Sequence, residues 1–579
     1  MPHEAMGRMV LLPFDYNGVR LLPSRFLDQV ERTQAVYGTI PNDDILYGFR
    51  RAAGLPAPGN GLRGWCKNTS SVIFGQLLSG LARMARGTGE TVLRDKALAL
   101  FDGWRRTIGP HGDVRMRPYD WEKLVCGLVD LHAYAGVDDA LQVLSQITEW
   151  AARTFDRSRR PADGHDFQAV GPGGTSEWYT LPENLYRAYL ATGDTLFRDF
   201  ADIWRYEHFW QQFAETSQPE VVLPVHAYSH LNTFSSAAMA YAVSSDERYL
   251  RICINAYDFF LRTQCYATGG FGPDERLMPP DGSLGRSLEL YAGHAEIPCG
   301  TWAATKLCRY LIGFTGQARF GDWIETTLYN AIGAALPTEP DGKTFYYGDY
   351  RISSGIKQHY WHEWPCCSGT YLQTVADYHN IIYFRDGGGL FVNLFVPSEV
   401  RWSHQGQDVC FRQQTDYPEA ETTTLTFESH QAISLTLRFR VPGWSNGASA
   451  ELNGAPLALQ ATPSEWAVID REFQPGDRIG IRIPMSIRMV PVDPQHPDRV
   501  AIMSGPQVLA QDEACCRRPF AMGGDTDLSR RLVRDGPGAR FRLLNGVPER
   551  HTRFLQPLHT IPPFWPYWVY FDLHAPSLY

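Results

Sequence analysis

Five times in this chain, an apolar-periodic segment ends in a small-residue turn and a second such segment follows at once. The turns read ARGTGETVL at Gly89, AYAGVDDAL at Gly136, YLATGDTLF at Gly193, AVSSDERYL at Ser245 and GFTGQARFG at Gly316. Glycine just past a helix end accepts the left-handed backbone that closes the last turn, and an acidic residue after it can cap the next helix. The flanking pattern is helical: Leu124, Leu128, Leu131 and Ala135 share one face, and Leu141, Leu144, Ile147 and Ala151 share another. The hairpins recur at roughly 50 residues, a period at which repeats stack or close into rings, and they predict a closed (α/α) toroid of about six hairpins over residues 30–385.

After Asp386 the period changes. GGGLFVNLFVPSEVRW, TTTLTFES, AISLTLRFRVPGW and RIGIRIPMSIRMV alternate apolar and polar residues and favour β-branched types. They predict one or two antiparallel β-sandwich modules over residues 386–579. Residues 1–29 hold an extended stretch, VRLLPSRF, expected to pair with that β region. The predicted class is therefore multidomain α + β, and 579 residues exceed what one hydrophobic core usually organises.

A net charge of -9 argues against nucleic acid and anionic membranes as partners. The first 20 residues contain no apolar run of signal-peptide length, and the 11 cysteines form no regular framework. Reduced thiols in the cytoplasm are the expectation. Aromatic residues make up 13% of the chain, which suits a carbohydrate groove as well as a large core.

EWPCCSGTY sets Cys366 beside Cys367 after the last helical hairpin, and GHAEIPCGTW carries Glu296 and Cys299. Three sulfurs and a carboxylate suit tetrahedral zinc, whereas buried free cysteines are common and inert. A second adjacent pair, Cys515 and Cys516, has no carboxylate or histidine company and reads as structural. The glycine-rich TGGFGPDERLMPP offers Asp274 and Glu275 as general acid or base. LPVHAYSHLNTF places His226 and His230 four apart, on one helical face, where they would bond a sugar hydroxyl or be buried. Polar-aromatic strings with Trp65 (RGWCKNTSS), Glu122 (PYDWEKLVCG), and Ser176 and Trp178 (TSEWYTLPEN) begin other predicted inner helices and would converge on one central pocket.

Together these strings, with WEKLVCGLVDLHAYAG, GGFGPDE, EIPCGTWAATKL, WPCCSGT, LRFRVPGW and VAIMSGPQVLA, resemble glycoside hydrolase family 127, the β-L-arabinofuranosidase-type enzymes, over most of the chain. The resemblance implies an (α/α) barrel with β-sandwich modules and a retaining exo-glycosidase acting on a terminal furanoside, β-L-arabinofuranose by default. It implies zinc held by Glu296, Cys299, Cys366 and Cys367, with Cys366 also the nucleophile and Glu275 the acid/base, Asp274 being its rival. It further implies an oligo- or polysaccharide substrate and sugar contacts from His226. The chain departs from the family pattern in spacing Glu296 and Cys299 around an extra Pro298, and in carrying Glu122 and Ser176 where characterised members show histidine. Another sugar with the same mechanism, a polysaccharide lyase, and a non-catalytic carbohydrate-binding protein are the alternatives. An exposed sandwich face would support a homodimer.

Overall fold

The five turns adopt left-handed backbone: φ is 77° at Gly89, 70° at Gly136, 72° at Gly193, 71° at Gly316 and 64° at Ser245. Each cap N–H bonds back into the helix it ends, as Gly89 does to the Ala85 carbonyl at 2.9 Å. The acidic residue that follows caps the next helix at Asp194 and Asp246, whose carboxylates accept from the Leu196 and Arg248 amides. Glu90 and Asp138 make no such bond.

The computed structural model describes residues 8–155, 177–220, 225–290, 293–512, 528–536, 538–544 and 553–573. Twelve helices in it pair as hairpins. They are α1 (Arg25–Thr39), α2 (Ser71–Thr88), α3 (Thr91–Arg105), α4 (Pro118–Ala135), α5 (Asp139–Thr154) and α6 (Pro182–Thr192), then α7 (Thr195–Ile203), α8 (Ala227–Ser244), α9 (Glu247–Thr263), α10 (Pro298–Thr315), α11 (Gly321–Asn330) and α12 (Cys366–Ala376). The even-numbered helices form the inner ring: α2 packs on α4, then α6, α8, α10 and α12, and α12 returns to α2. Each odd-numbered helix packs outside an inner one, α1 covering α12.

Inner and outer helices differ as their positions demand. All eleven residues of α12, and 17 of the 18 in α10, are buried. Outer α5 buries a single stripe, Ala140, Leu144, Ile147, Thr148 and Ala151. Inner helices α2 and α4 approach closely at two glycines. A Cβ on Gly75 would lie 1.9 Å from the Lys123 carbonyl oxygen, and one on Gly127 2.5 Å from that of Gly75.

The segment before α1 runs along the β region, in strands β1 (Leu12–Pro13) and β2 (Val19–Leu21). β1 pairs with Tyr383–Arg385 at the edge of a five-stranded sheet, and β2 with Ser398–His404 at the edge of a seven-stranded one. Helix α1 starts at Arg25, inside the stretch expected to be extended, because the Ser24 hydroxyl caps the Leu27 amide. The two sheets pack through Phe411 and Phe427 of one and Phe473 of the other. Among the described strands one pair is parallel, Gly389–Val392 with Ile433–Arg440; the rest are antiparallel. One continuous hydrophobic core joins this sandwich to the barrel.

A third, nine-stranded sheet follows from Ile487 and includes Gly355–Ile356 from the barrel's own loop. Its Val508, Ala510, Tyr567 and Tyr570 share a second core with Tyr266, Ile297 and Tyr350. That core backs the short two-stranded antiparallel sheet of β3 (His294–Glu296) and β4 (Tyr347–Asp349), and so stiffens what it carries. No described helix is long and apolar enough to cross a membrane. Cys515 and Cys516 lie outside the described residues.

Candidate active site

The first turns of α4, α10 and α12 and the N-cap of α8 meet at one end of the ring. Glu296 is the last residue of β3, its backbone paired opposite Tyr347. The chain then bends at Ile297, whose amide bonds the Tyr346 carbonyl at 2.8 Å, and Pro298 opens α10 with Cys299 next. A strand-to-helix corner therefore absorbs the extra residue between Glu296 and Cys299. Pro365 caps α12, so Cys366 and Cys367 are its first two residues.

These elements bring four donor atoms together in a buried cluster. The Cys367 thiol reaches Glu296 Oε1 at 3.1 Å and Cys299 Sγ at 3.3 Å, and Cys299 Sγ lies 3.6 Å from Cys366 Sγ. The Thr370 hydroxyl is 3.0 Å from Cys299 Sγ. The sulfurs are much too far apart for disulfides, which need about 2.05 Å. Tetrahedral zinc with bonds of about 2.3 Å would set its sulfurs roughly 3.8 Å apart. The four ligand atoms lie within 4.8 Å of one another, an arrangement that could hold a metal ion.

The three thiols are not equivalent. Hydrogen bonds from Cys299 and Cys367 hold Cys366 well below the usual thiol range; burial opposes them, while Lys123 and a Tyr119 hydrogen bond add to them. Its place at a helix N-terminus favours the thiolate further. Burial pushes Cys299 and Cys367 up instead. Burial also raises Glu296 to about 7.

Across this cluster stands Glu275. Gly272, Asp274 and Glu275 all have positive φ, 69°, 52° and 59°. Two consecutive left-handed non-glycine residues are a strained turn, and the strain points their side chains apart. Glu275 turns inward, accepts the Tyr347 hydroxyl's hydrogen bond and lies 3.4 Å from His226 Nε2. Asp274 turns outward, its side chain 56% exposed and 3.7 Å from His294. Burial pushes the Glu275 carboxyl up, but His226 and Tyr347 outweigh it and leave it lowered.

His226 lies 2.5 Å from Glu177 Oε1 through Nδ1 and 3.7 Å from Glu296 through Nε2. Burial would lower its proton affinity, but Glu177, with Glu275 and Glu296, raises it well above the usual range. His226 and His230 do not share a face. His226 is the extended N-cap residue outside α8, whereas His230 lies in the first turn. There its Nδ1 is 2.8 Å from the His226 carbonyl oxygen, and its ring packs on Tyr179 and Phe209, behind the site.

Glu122 is buried at the start of α4 and accepts from Asn184 at 3.2 Å; burial raises its pKa. Trp178 packs with Tyr179, Trp204 and Tyr206 in an aromatic layer. Trp65 stands at the rim, 42% exposed and edge-on to Tyr360. Ser176 lies outside the described residues.

Sequence reasoning missed Tyr119, Lys123, Glu177 and Tyr347. The first two occur four apart in PYDWEKL, the spacing that puts both on one helix face, and the Lys123 ammonium sits 3.6 Å from the Tyr119 ring centre. Nothing in the local sequence distinguishes Glu177 or Tyr347.

Two family descriptions match the chain: "Beta-L-arabinofuranosidase, GH127 catalytic domain" over residues 99–380 and "Beta-L-arabinofuranosidase, GH127 middle domain" over residues 389–485. A GH127 beta-L-arabinofuranosidase from Geobacillus stearothermophilus T6 is similar in structure, with a TM-score of 0.70 at 20% identity, covering 96% of this chain and 99% of that one. A GH127 beta-arabinofuranosidase has a TM-score of 0.73 at 17% identity, covering 98% of both chains. A further structure described as a glycoside hydrolase has 0.71 at 15%, covering 99% of both. Among curated proteins none matches.

Proposed function

The chain belongs to glycoside hydrolase family 127, and from that premise we propose that it is a retaining exo-glycosidase that releases a terminal furanoside, with β-L-arabinofuranose the default sugar. The observation that carries this reading is the buried cluster of Glu296, Cys299, Cys366 and Cys367 with Glu275 facing it through His226. The three sulfurs and one carboxylate fit zinc in ligand type and spacing. Bound there, zinc would keep the thiols deprotonated and their positions fixed.

Cys366 is the nucleophile. Its sulfur is the one of the three whose proton affinity is lowered, by its two neighbouring thiols, Lys123 and Tyr119, which favours the thiolate. It attacks the anomeric carbon, forming a C–S bond as the C–O bond to the leaving group breaks. Glu275 gives its proton to the departing oxygen. In the second step water attacks, Glu275 takes its proton, the C–S bond breaks and the thiolate returns. Two inversions leave the anomeric configuration unchanged.

Glu275 must hold a proton when the sugar arrives. In the free protein His226 and Tyr347 keep it low, but a seated sugar excludes water, and desolvation raises a carboxyl. His226, held as imidazolium by Glu177, is the adjacent proton source.

Metal analysis combined with intact mass after exposure to an L-arabinofuranosyl haloacetamide tests the reading. The expected result is one zinc per chain and a single adduct on Cys366, absent from Cys366→Ser. Inversion in the first-formed product, seen by NMR, would exclude Cys366 as nucleophile.

A further inference from the structure

Beside the cysteine cluster, and sharing Glu296 with it, His226, Glu275 and Glu296 form a second group whose ligand atoms lie within 4.8 Å of one another. His226 Nε2 is 3.4 Å from Glu275 Oε2 and 3.7 Å from Glu296 Oε2. Zinc bonds to nitrogen and oxygen of about 2.0–2.2 Å set tetrahedral ligands roughly 3.3–3.6 Å apart. We propose that these three side chains are a second, inhibitory zinc site, which excess zinc fills and which then ties up Glu275. Only its effect on turnover rests on the glycosidase reading above.

Each ligand atom is aimed by a partner on the far side of its group. His226 Nδ1 lies 2.5 Å from Glu177 Oε1, the carboxylate backing that fixes the tautomer and orientation of a metal-binding imidazole. Glu275 Oε1 accepts from the Tyr347 hydroxyl, so Oε2 is the atom facing His226. Glu296 Oε1 accepts from the Cys367 thiol at 3.1 Å, whereas Oε2 is buried and accepts no hydrogen bond among the described residues. A buried carboxylate oxygen left this way is costly, and a cation would satisfy it. Glu275 is the most exposed of the three, at 16% of its side chain, and gives an ion its way in.

The site binds more weakly than the cysteine cluster, because it offers no thiolate and its ion would have another for neighbour. It therefore fills second. An ion there replaces the proton on His226 Nε2 and holds Glu275 Oε2 as a ligand. Glu275 can then give no proton to a departing oxygen.

Cobalt(II) separates the two sites without any substrate. Metal-free protein titrated with cobalt should first gain an intense thiolate-to-cobalt band in the near ultraviolet. A further equivalent should add only a weak visible band, from nitrogen and oxygen ligands. Glu275→Gln and His226→Gln should keep the first band and lose the second. In wild type, zinc beyond the first equivalent should inhibit turnover in step with filling of the second site. Uptake of a single ion under excess cobalt would overturn the site. So would a second ion that binds both variants as it binds wild type, or full turnover with the second site filled. A weak band without the thiolate band, lost in both variants, would support this site and refute zinc at the cysteines. Two ions bound with no turnover of any furanoside would refute the glycosidase reading and leave the site standing.

Discussion

Replacing Gly75 by alanine adds one methyl group where α2 crosses α4. That Cβ would sit 1.9 Å from the Lys123 carbonyl oxygen, 2.1 Å from its carbon and 2.3 Å from the Leu124 nitrogen. All three are backbone atoms, so no side chain can rotate away. Ordinary contact begins near 3.4 Å, and the helices would have to part by at least about 1.5 Å. Overpacking of this kind costs about 1–3 kcal/mol, and more where the backbone must move. The displaced segment carries Lys123 itself, with Tyr119 one turn earlier, and both act on Cys366. Misplacement by about 1 Å can cost on the order of 100-fold in rate. Gly75→Ala should therefore lower thermal stability and reduce kcat together. Differential scanning calorimetry and steady-state kinetics measure the two effects. Gly89→Ala is the control: nothing lies within 4 Å of its Cβ, but φ is 77°. It should cost about 1 kcal/mol of backbone strain and leave kcat alone. Wild-type stability and rate in Gly75→Ala would refute the claim that this crossing sets the position of the thiolate's supports.

If Cys366 is the nucleophile, as proposed, Cys366→Ser should lower kcat by roughly 10,000-fold or more, leaving only binding and electrostatics; circular dichroism should show the fold retained. If zinc occupies the proposed site it would tie β3, α10 and α12 together, so dipicolinate should lower Tm by several degrees and added zinc should restore it; an unchanged Tm would count against a bound metal. Tyr347→Phe removes a hydrogen bond that lowers Glu275, so the acid/base limb of the kcat/KM–pH profile should move to higher pH. Lys357 is buried, donates to the Leu558 carbonyl at 2.6 Å and is pushed down by burial to about 7. Between that value and its unfolded pKa near 10.4 the unfolded chain binds the extra proton, so stability rises with pH; below about 7 the folded state carries the full cost, about 5 kcal/mol. Lys357→Met should accordingly be most favourable, relative to wild type, near pH 6 and lose that advantage by pH 10 in urea unfolding.

Cys366, Cys367, Cys299, Glu296 and Glu275 could be singled out because their residue types are chemically distinctive and their strings resemble a known family. In sequence Asp274 stood as a rival to Glu275 for the acid/base, and two consecutive left-handed residues turn their side chains to different surroundings. His226 and His230 looked equivalent at a spacing of four. The helix begins between them, which sends one to the pocket and the other into an aromatic core.

What the sequence determined by itself is local. The glycine turns end helices because of backbone sterics within one residue, and the change from helical to alternating periodicity marks the switch from barrel to sandwich. Which side chains converge is decided by closure of the ring, through contacts among helices as far apart as α2 and α12. Lys123 and Tyr119 reach Cys366 over some 240 residues, and Tyr347 reaches Glu275 over 72. No periodicity spans such distances. The burial and the partner groups that together shift the charge states in the site exist only once those helices and the β3–β4 strand pair have packed.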